Sequence, residues 1–341
     1  MLPDIIRIAL RLILVVVLLF IMTPFQIFVI SLRLPGSDKL PLLFHKAILK
    51  IIGVRVRVSG PLPAPGTLIV SNHVSWLDIC IIGSVLPVNF VAKADISGWP
   101  ILGFLAKLQK TLFIKRDRRS DTANQRNAMQ DRLLDGSRLL LFPEGTTGDG
   151  TIVFPFKSSL FAAAEVPEND NPIPIQPLSL AFAELSGIPM SRRIRIKYAW
   201  IGDIGLLSNM LYILRSYSFT INLIFHEPTN LVEAGGRKKL AVSAHRQVQN
   251  GVANTTVGSI AIEATDADVA SELKVAAKPT LEEVRISAII KGSFSVCPRP
   301  VSSRRSIMLP SGSASATEHA CCDVSQTKTK GRCCGLGKSA S

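Results

Sequence analysis

Short β-branched and apolar runs alternate along most of the chain with stretches typical of helices. The pattern predicts strands at 54–58, 67–71, 89–92, 111–115, 138–142, 173–180, 195–199 and 220–226. It predicts helices at about 75–86, 100–109, 120–135, 158–165, 204–214 and 237–250. Such alternation is typical of an α/β protein, so we expect a central mixed sheet flanked by helices. Functional side chains are then expected where strands end.

The first 30 residues are the most apolar part of the chain. Every residue from 12 to 22 is apolar, and the apolar character continues to residue 30 in spite of Pro24 and Gln26. A helix needs about 20 apolar residues to cross the hydrocarbon of a bilayer. The segment is long enough to span, but its proline and glutamine would equally let it lie in the interface. The sequence therefore predicts an uncleaved N-terminal membrane helix and leaves both placements open.

Basic residues flank this helix unequally. Arg7 and Arg11 precede the apolar run, whereas six Lys and Arg residues lie between residues 33 and 57. Basic residues concentrate on the cytoplasmic side of a membrane. We therefore expect an inner (cytoplasmic) membrane protein whose folded domain faces the cytoplasm.

The composition changes after about residue 255. Ser, Thr, Ala, Pro and Arg dominate from there, which is typical of disorder. The predicted division is a membrane anchor over 1–34, a folded domain over 35–255 and a low-complexity, mostly disordered tail over 256–341. Cys80 lies in the domain and the other five cysteines lie in the tail, so no disulfide framework is predicted. No CxxC pair with a suitably spaced histidine occurs, so no metal site is predicted.

The chain is strongly basic, with 39 Lys and Arg against 25 Asp and Glu, and its net charge is +14. Nucleic acid is the usual partner of such a protein. Aromatic residues are only 6% of the chain, and the basic positions follow no nucleic-acid-binding motif. An anionic lipid surface attracts Lys and Arg without any motif. We therefore expect membrane lipids, and no nucleic acid, as the partner.

A histidine and an aspartate follow the predicted strand at 67–71. His73 and Asp78 are five positions apart in the run Asn72-His73-Val74-Ser75-Trp76-Leu77-Asp78. A histidine at the mouth of a sheet with a nearby carboxylate suits a general base and its orienting group. The spacing alone is equally compatible with a solvated histidine beside a helix-capping carboxylate.

A carboxylate, glycines and hydroxyls follow a second predicted strand, at 138–142. The loop reads Pro143-Glu144-Gly145-Thr146-Thr147-Gly148-Asp149-Gly150. Turn chemistry explains the proline and the glycines. Glu144, directly after an apolar strand, would be poorly solvated without a partner, which favours a role in a ligand or catalytic site.

Four blocks in this order resemble the glycerolipid acyltransferase family typified by 1-acylglycerol-3-phosphate acyltransferases. The blocks are Asn72 to Asp78, Phe113-Ile114-Lys115-Arg116, Phe142 to Thr146 and Ile173-Pro174-Ile175-Gln176-Pro177. The resemblance covers roughly residues 1 to 255. It implies a membrane-bound enzyme that moves a fatty acyl group from acyl-CoA or acyl carrier protein to the free hydroxyl of a lysolipid. The thioester is a co-substrate, and no cofactor or metal is implied.

The same resemblance implies roles for particular residues. His73 is expected to take the hydroxyl proton, and Asp78 to orient its ring and stabilise the imidazolium. Direct attack leaves no acyl-enzyme, although Ser75 and Cys80 keep a covalent route open. The residues expected to bind substrate are Arg116, Glu144, Gly145, Thr146, Lys93 and Lys157, with the two lysines as candidates for contacts to phosphate.

One departure bears on the acceptor. Many phosphatidate-forming members carry arginine directly after the FPEGT block, where this chain has Thr147. Similar loops without that arginine occur in bacterial relatives that acylate lyso-ornithine lipid. From the breadth of the family we expect conversion of 1-acylglycerol-3-phosphate to phosphatidate. The alternatives are a lyso-ornithine lipid O-acyltransferase and a non-catalytic lipid-binding protein of the same fold.

Overall fold

The structure is a computed structural model that describes residues 2–34, 36–115, 122–166, 172–202 and 204–256. Its centre is a mixed β-sheet with strand order β1-β8-β6-β2-β5-β3-β4, and a short β7 pairs with β6 outside this path. The strands are β1 (Val54–Ser59), β2 (Leu68–Ser71), β3 (Asn89–Lys93), β4 (Leu112–Ile114), β5 (Leu139–Leu141), β6 (Ile175–Leu185), β7 (Ile188–Pro189) and β8 (Phe219–Phe225). The expectation of a mixed central sheet is confirmed.

Five neighbouring strands run in one direction. β6, β2, β5, β3 and β4 are parallel, whereas β8 is antiparallel to β6 and β1 is parallel to β8. The loops after β2, β5 and β3 therefore leave the same edge of the sheet. β6 extends beyond this edge, where it pairs with β8 and β7.

Helices cover both faces of the sheet. They are α1 (Leu2–Ser31), α2 (Lys39–Ile52), α3 (Leu77–Gly83), α4 (Leu102–Leu108), α5 (Thr122–Leu134), α6 (Arg192–Tyr198), α7 (Leu206–Arg215) and α8 (Arg237–Thr256), with 3-10 turns at Ala94–Gly98 and Ser158–Ala164. α2, α3, α6 and α7 share one core with one face of the sheet. α5, α8 and the second 3-10 turn share the other core.

The central strands are buried on both faces, and this explains their continuous apolar runs. In β2, Ile69 points into the core on the α3 side, whereas Leu68 and Val70 point into the core on the α8 side. In β5, Leu140 points into the core on the α3 side and Leu139 points into the core on the α8 side. The two strands that precede the predicted site are thus fixed by apolar packing from above and below.

α1 is a long apolar helix that lies against the domain. Its most apolar 18-residue window has a mean hydropathy of 2.9, so by length and composition it could cross a membrane. Arg11 donates to the carbonyl oxygens of Leu214 at 2.8 Å and Tyr217 at 3.0 Å. Near the other end, Gln26 donates to the carbonyl oxygens of Ser37 and Leu108. Both ends of the helix are therefore tied to the same domain.

The strand predicted at 195–199 is wrong, because these residues belong to α6 and the turn after it. Isoleucines at 194 and 196 alternate with basic residues and imitate a strand. The buried residues of α6 are instead Arg195 and Tyr198, which are three positions apart and share a helical face. Arg195 is tolerated there because it donates to the carbonyl oxygen of Met190 at 2.7 Å and to Thr151.

Three other elements differ from the pattern. α2 and β7 were not predicted, and the helix expected at 158–165 is a 3-10 turn. The predicted tail over 256–341 lies, apart from Thr256, outside the described residues.

Candidate active site

The predicted chemical residues converge at one edge of the sheet. β2 ends at Ser71 and β5 ends at Leu141, and these strands are adjacent and parallel. The blocks that follow them, from Asn72 and from Phe142, therefore leave the sheet side by side. This is the position at which open α/β sheets commonly bind ligands.

Asn72 extends the β-ladder by one step with its side chain. Its Nδ2 donates to the carbonyl oxygen of Leu180 and its Oδ1 accepts from the amide of Leu180, both at 2.9 Å. The side chain thus imitates a strand residue while the backbone leaves the sheet. Asparagine suits this position because its amide offers both a donor and an acceptor.

His73 and Asp78 form a hydrogen-bonded pair. His73 Nδ1 lies 2.8 Å from Asp78 Oδ2, and the Asp78 side chain is fully buried. Asp78 Oδ2 also accepts the amides of Val74 at 2.6 Å and Ser75 at 2.9 Å. An ionised carboxylate only accepts hydrogen bonds, so this contact assigns the proton to Nδ1 and leaves the lone pair on Nε2.

The His73 ring is also held from one face. The phenyl ring of Phe142 stacks on it, with ring centroids 4.0 Å apart and an interplanar angle of 13°. The His73 side chain remains 19% exposed. Within the described part of the chain, Nε2 has no hydrogen-bond partner. His73 therefore presents its second ring nitrogen at the edge of the sheet.

Glu144 is a buried carboxylate that joins two loops. Its Oε1 accepts the backbone amide of His73, and its Oε2 accepts the backbone amide of Phe154, each at 2.7 Å. Only 4% of Glu144 is exposed. Burial raises the pKa of this carboxyl to about 7, and the nearby Asp78 and Asp149 add to that effect.

The loop after Glu144 returns to the same histidine. The amide of Gly148 donates to the carbonyl oxygen of His73 at 2.7 Å. Gly150, with φ of +72°, brings its backbone against Val74, where an added Cβ would lie 3.2 Å from a methyl group. Thr147 donates its hydroxyl to the carbonyl oxygen of Trp200.

The other predicted substrate-binding residues lie around this edge. Gly145 closes the turn that begins at Phe142, with φ of +76°, and Thr146 is exposed. Lys93 ends β3, two strands from β2 and so roughly 10 Å away across the sheet; its ammonium pairs with Asp95 at 2.6 Å. Lys157 is exposed on the return of the loop. Arg116 lies outside the described residues.

Cys80 and Ser75 are the two side chains that a covalent route would use as nucleophiles. Burial raises the pKa of the Cys80 thiol to about 12, and the Asp78 charge adds to the effect, so a thiolate is scarce at neutral pH. Ser75 is fully buried. Among the described residues there is no group of three or more His, Cys, Asp or Glu that is suited to hold a metal.

Sequence reasoning missed four contacts of this site. They are the stacking of Phe142 on His73, the bond from Gly148 to the His73 carbonyl oxygen and the two amide bonds of Glu144, and they come from the third block and the loop after it. The available signal was the apolar strand that leads directly into a carboxylate. It indicated a partner for Glu144, and the partners are backbone amides.

Comparisons with known proteins agree on the chemistry. A family model described as Acyltransferase matches residues 53–181. A lyso-ornithine lipid O-acyltransferase of Rhizobium meliloti (strain 1021) is 39% identical over 240 residues, which cover 69% of this chain and 82% of that protein. A 1-acyl-sn-glycerol-3-phosphate acyltransferase of Neisseria gonorrhoeae is 31% identical, over 64% of this chain and 78% of that protein.

A solved structure has the same fold. The crystal structure of the 1-acyl-sn-glycerophosphate acyltransferase from Thermotoga maritima superposes with a TM-score of 0.51 at 20% identity. The similarity covers 72% of this chain and 96% of that chain.

Proposed function

The chain belongs to the acyltransferase family, and we propose that it transfers a fatty acyl group from a thioester donor to the free hydroxyl of lyso-ornithine lipid. Acyl transfer itself is the shared activity of its relatives. The proposed part is the acceptor, together with the roles of the residues at the sheet edge and the placement of the protein on the membrane.

The geometry supports His73 as general base. Its Nε2 takes the proton of the acceptor hydroxyl while the oxygen attacks the thioester carbonyl carbon, and a tetrahedral intermediate forms. Asp78, 2.8 Å from Nδ1, fixes the tautomer and stabilises the imidazolium. When the carbon–sulfur bond breaks, the imidazolium returns the proton to the thiolate. The acyl group passes directly, which agrees with the buried Ser75 and the raised pKa of Cys80.

The observation that carries the choice of acceptor is Thr147. Its hydroxyl donates to the carbonyl oxygen of Trp200, so this position contributes a neutral side chain bound to the backbone instead of a cation. The ornithine head group has a carboxylate and an amine but no phosphate, and it needs no additional cation there. The relative named lyso-ornithine lipid O-acyltransferase also has the higher identity of the two relatives above.

The second candidate acceptor is 1-acylglycerol-3-phosphate, which the sequence analysis ranked first. The Neisseria relative supports it, and Lys93 lies at the same edge of the sheet as His73. One lost charged hydrogen bond to an anion is worth roughly 1.5 to 3 kcal/mol, or about tenfold or more in preference. A free-energy difference of this size at position 147 is enough to decide which of the two acceptors the enzyme prefers.

We further propose that α1 lies flat in one leaflet and does not span the bilayer. Its contacts with the domain extend from Arg7 to Val29, which is roughly 33 Å of helix at 1.5 Å per residue. The hydrocarbon core is about 30 Å thick. A spanning α1 would therefore immerse the adjoining domain surface through the whole membrane, including the polar contacts of Arg11.

The exposed face of α1 supports this placement. The residues that pack against the domain form one stripe that includes Ile8, Val15 and Leu18, whereas Phe20 on another face is 81% exposed. α7 adds exposed apolar side chains beside α1, and Leu207 is 68% exposed. Half of α1 is thus free to bury in lipid, as in interfacial helices.

The active edge lies close to this apolar face. The indole of Trp76, within the first block, donates to Asn209 of α7 at 3.0 Å. Because α7 also contacts α1 through Arg11, the lysolipid is expected to reach His73 from the leaflet along α7. The basic residues after α1 favour the cytoplasmic leaflet of the inner membrane.

Acylation by membranes that contain the expressed protein tests this function. Labelled acyl donor, as CoA or carrier-protein thioester, is offered with lyso-ornithine lipid or with 1-acylglycerol-3-phosphate. We expect label in ornithine lipid, and in parallel the loss of at least 10²-fold of that rate in His73→Ala. Label only in phosphatidate rejects the proposed acceptor. Equal rates for wild type and His73→Ala, above the rate of membranes without the protein, reject the base, and a wild-type rate no higher than that background favours the non-catalytic alternative.

A further inference from the structure

The geometry points to Glu144 as a positioning residue that holds the backbone of His73, instead of a ligand of the acceptor head group. This inference rests on the proposed role of His73 as general base. It assigns the third block a task other than the substrate binding that its family resemblance implies.

Glu144 has both carboxylate oxygens engaged by backbone amides. Oε1 accepts from His73 and Oε2 accepts from Phe154, each at 2.7 Å, which is short for N–H···O and typical of a charged acceptor. The residue is buried, with 4% exposure. An acceptor lipid would have to displace protein amides from a site that solvent hardly reaches.

The third block and the loop after it hold His73 by its amide, its carbonyl oxygen and its ring. Glu144 accepts its amide, Gly148 donates to its carbonyl oxygen, and Phe142 stacks on its ring. Asp78, from the same block as His73, holds Nδ1. The backbone and the ring of His73 are thereby fixed independently, so the direction of Nε2 depends on Glu144 as well as on Asp78.

The carboxylate also closes the loop that carries it. Phe154 lies ten residues after Glu144, and the bond between them draws the chain back across the block. Loss of this bond would free the loop and the His73 peptide together. A displacement of about 1 Å at a reacting group costs on the order of 10²-fold in rate.

Glu144→Gln separates positioning from binding. The glutamine keeps one oxygen for one amide but turns its NH₂ toward the other amide donor, so one of the two bonds is lost. We expect kcat to fall about 10- to 100-fold and KM for the acceptor to stay within about twofold. Glu144→Asp has a side chain too short to bridge both loops, so it should likewise lower kcat and leave KM for the acceptor nearly unchanged. Glu184→Gln, at the exposed ion pair with Arg57, is the matched control and should keep wild-type values.

A pH profile adds a readout that a change of stability alone would not move. Asp78 and Asp149 face Glu144 with like charge, and the amides of His73 and Phe154 oppose them. Protonated Glu144 must turn an O–H toward an amide donor, so protonation of Glu144 should lower wild-type kcat on the acid side of the profile. Glu144→Gln has no such proton to gain, so the limiting slope of its acid limb should be smaller than that of the wild type by about one.

The outcomes divide clearly. A tenfold or larger rise in KM for the acceptor at unchanged kcat overturns the inference and restores Glu144 as a ligand, and unchanged kcat and KM overturn it as well. Rates are expressed per folded protein, measured from the cooperative unfolding signal, so that poor folding is not counted. The test uses whichever acceptor the wild type acylates, so a wrong acceptor fails separately from Glu144. Equal activity of His73→Ala would refute the base itself.

Discussion

Replacement of Asp78 by asparagine tests the centre of the proposed mechanism. Asp78 Oδ2 accepts three hydrogen bonds, from His73 Nδ1 and from the amides of Val74 and Ser75. An asparagine oxygen in the same place accepts all three. The substitution therefore keeps these three bonds and removes the negative charge that faces the imidazolium.

The size of the effect follows from this geometry. With the charge centres about 4 Å apart and an effective dielectric constant of about 20, the interaction is worth about 4 kcal/mol. The neutral imidazole of the ground state gains little from the charge, so nearly all of this energy acts in the transition state. At about 1.4 kcal/mol for each factor of ten, Asp78→Asn should lower kcat about 10³-fold.

Acyl transfer under single-turnover conditions, at saturating donor and varied acceptor, measures this effect. KM for the acceptor should stay within about twofold, because Asp78 is buried behind His73. Asp38→Asn is the matched control, since Asp38 forms an exposed ion pair with Lys110. If Asp78→Asn retains more than a tenth of wild-type kcat while it folds normally, the imidazolium does not depend on this carboxylate and the argument is refuted.

Further substitutions test separate parts of the structure. Thr147→Arg should shift the preference between acceptors toward 1-acylglycerol-3-phosphate by about tenfold, with Thr147→Ser as control, and an unchanged ratio of the two rates would separate this position from acceptor choice. Phe142→Leu removes an aromatic contact worth about 0.5 to 1.5 kcal/mol, so kcat should fall roughly 2- to 12-fold; a wild-type rate would mean that the stacking does not orient His73. Cys80→Ala should keep full activity, and Cys80 should react slowly with iodoacetamide at pH 7 because burial raises its pKa to about 12; loss of turnover would reopen the covalent route. Phe20→Asp on the exposed face of α1 should move the protein from the membrane to the soluble fraction while its unfolding midpoint stays near that of the wild type, and retention on the membrane would contradict a leaflet contact there.

The sequence was most informative where apolar strands end in polar residues. β2 and β5 are buried on both faces, so their runs were recognisable, and parallel pairing brought the blocks after them together as expected. His73 and Asp78, five positions apart, needed only a local turn to meet. The fold class and the central pair could therefore be predicted.

The contacts that were missed depend on backbone groups or on an unusual buried residue. Glu144 binds two amides, and any residue other than proline supplies an amide, so no residue pattern marks its partners. Arg195 occupies a core position where two of its guanidinium nitrogens bond Thr151 and a carbonyl oxygen, whereas a hydropathy pattern assigns arginine to the surface. The interfacial placement proposed for α1 likewise depends on contacts between residues far apart in sequence. Arg11 bonds residues more than two hundred positions away, and Gln26 bonds a residue about eighty positions away.

Because α1 is bonded to the domain near both of its ends, it differs from a flexible anchor that any other hydrophobic helix could replace. A flexible anchor would let the domain tumble and would set only its average distance from the lipid. In the placement proposed for α1, a helix fastened at Arg11 and at Gln26 would instead orient the domain, so that the mouth of the sheet would meet the bilayer at one fixed angle and depth. A chimaera with an unrelated hydrophobic helix would return the protein to the membrane without that alignment, and the lipid hydroxyl would no longer arrive opposite the imidazole.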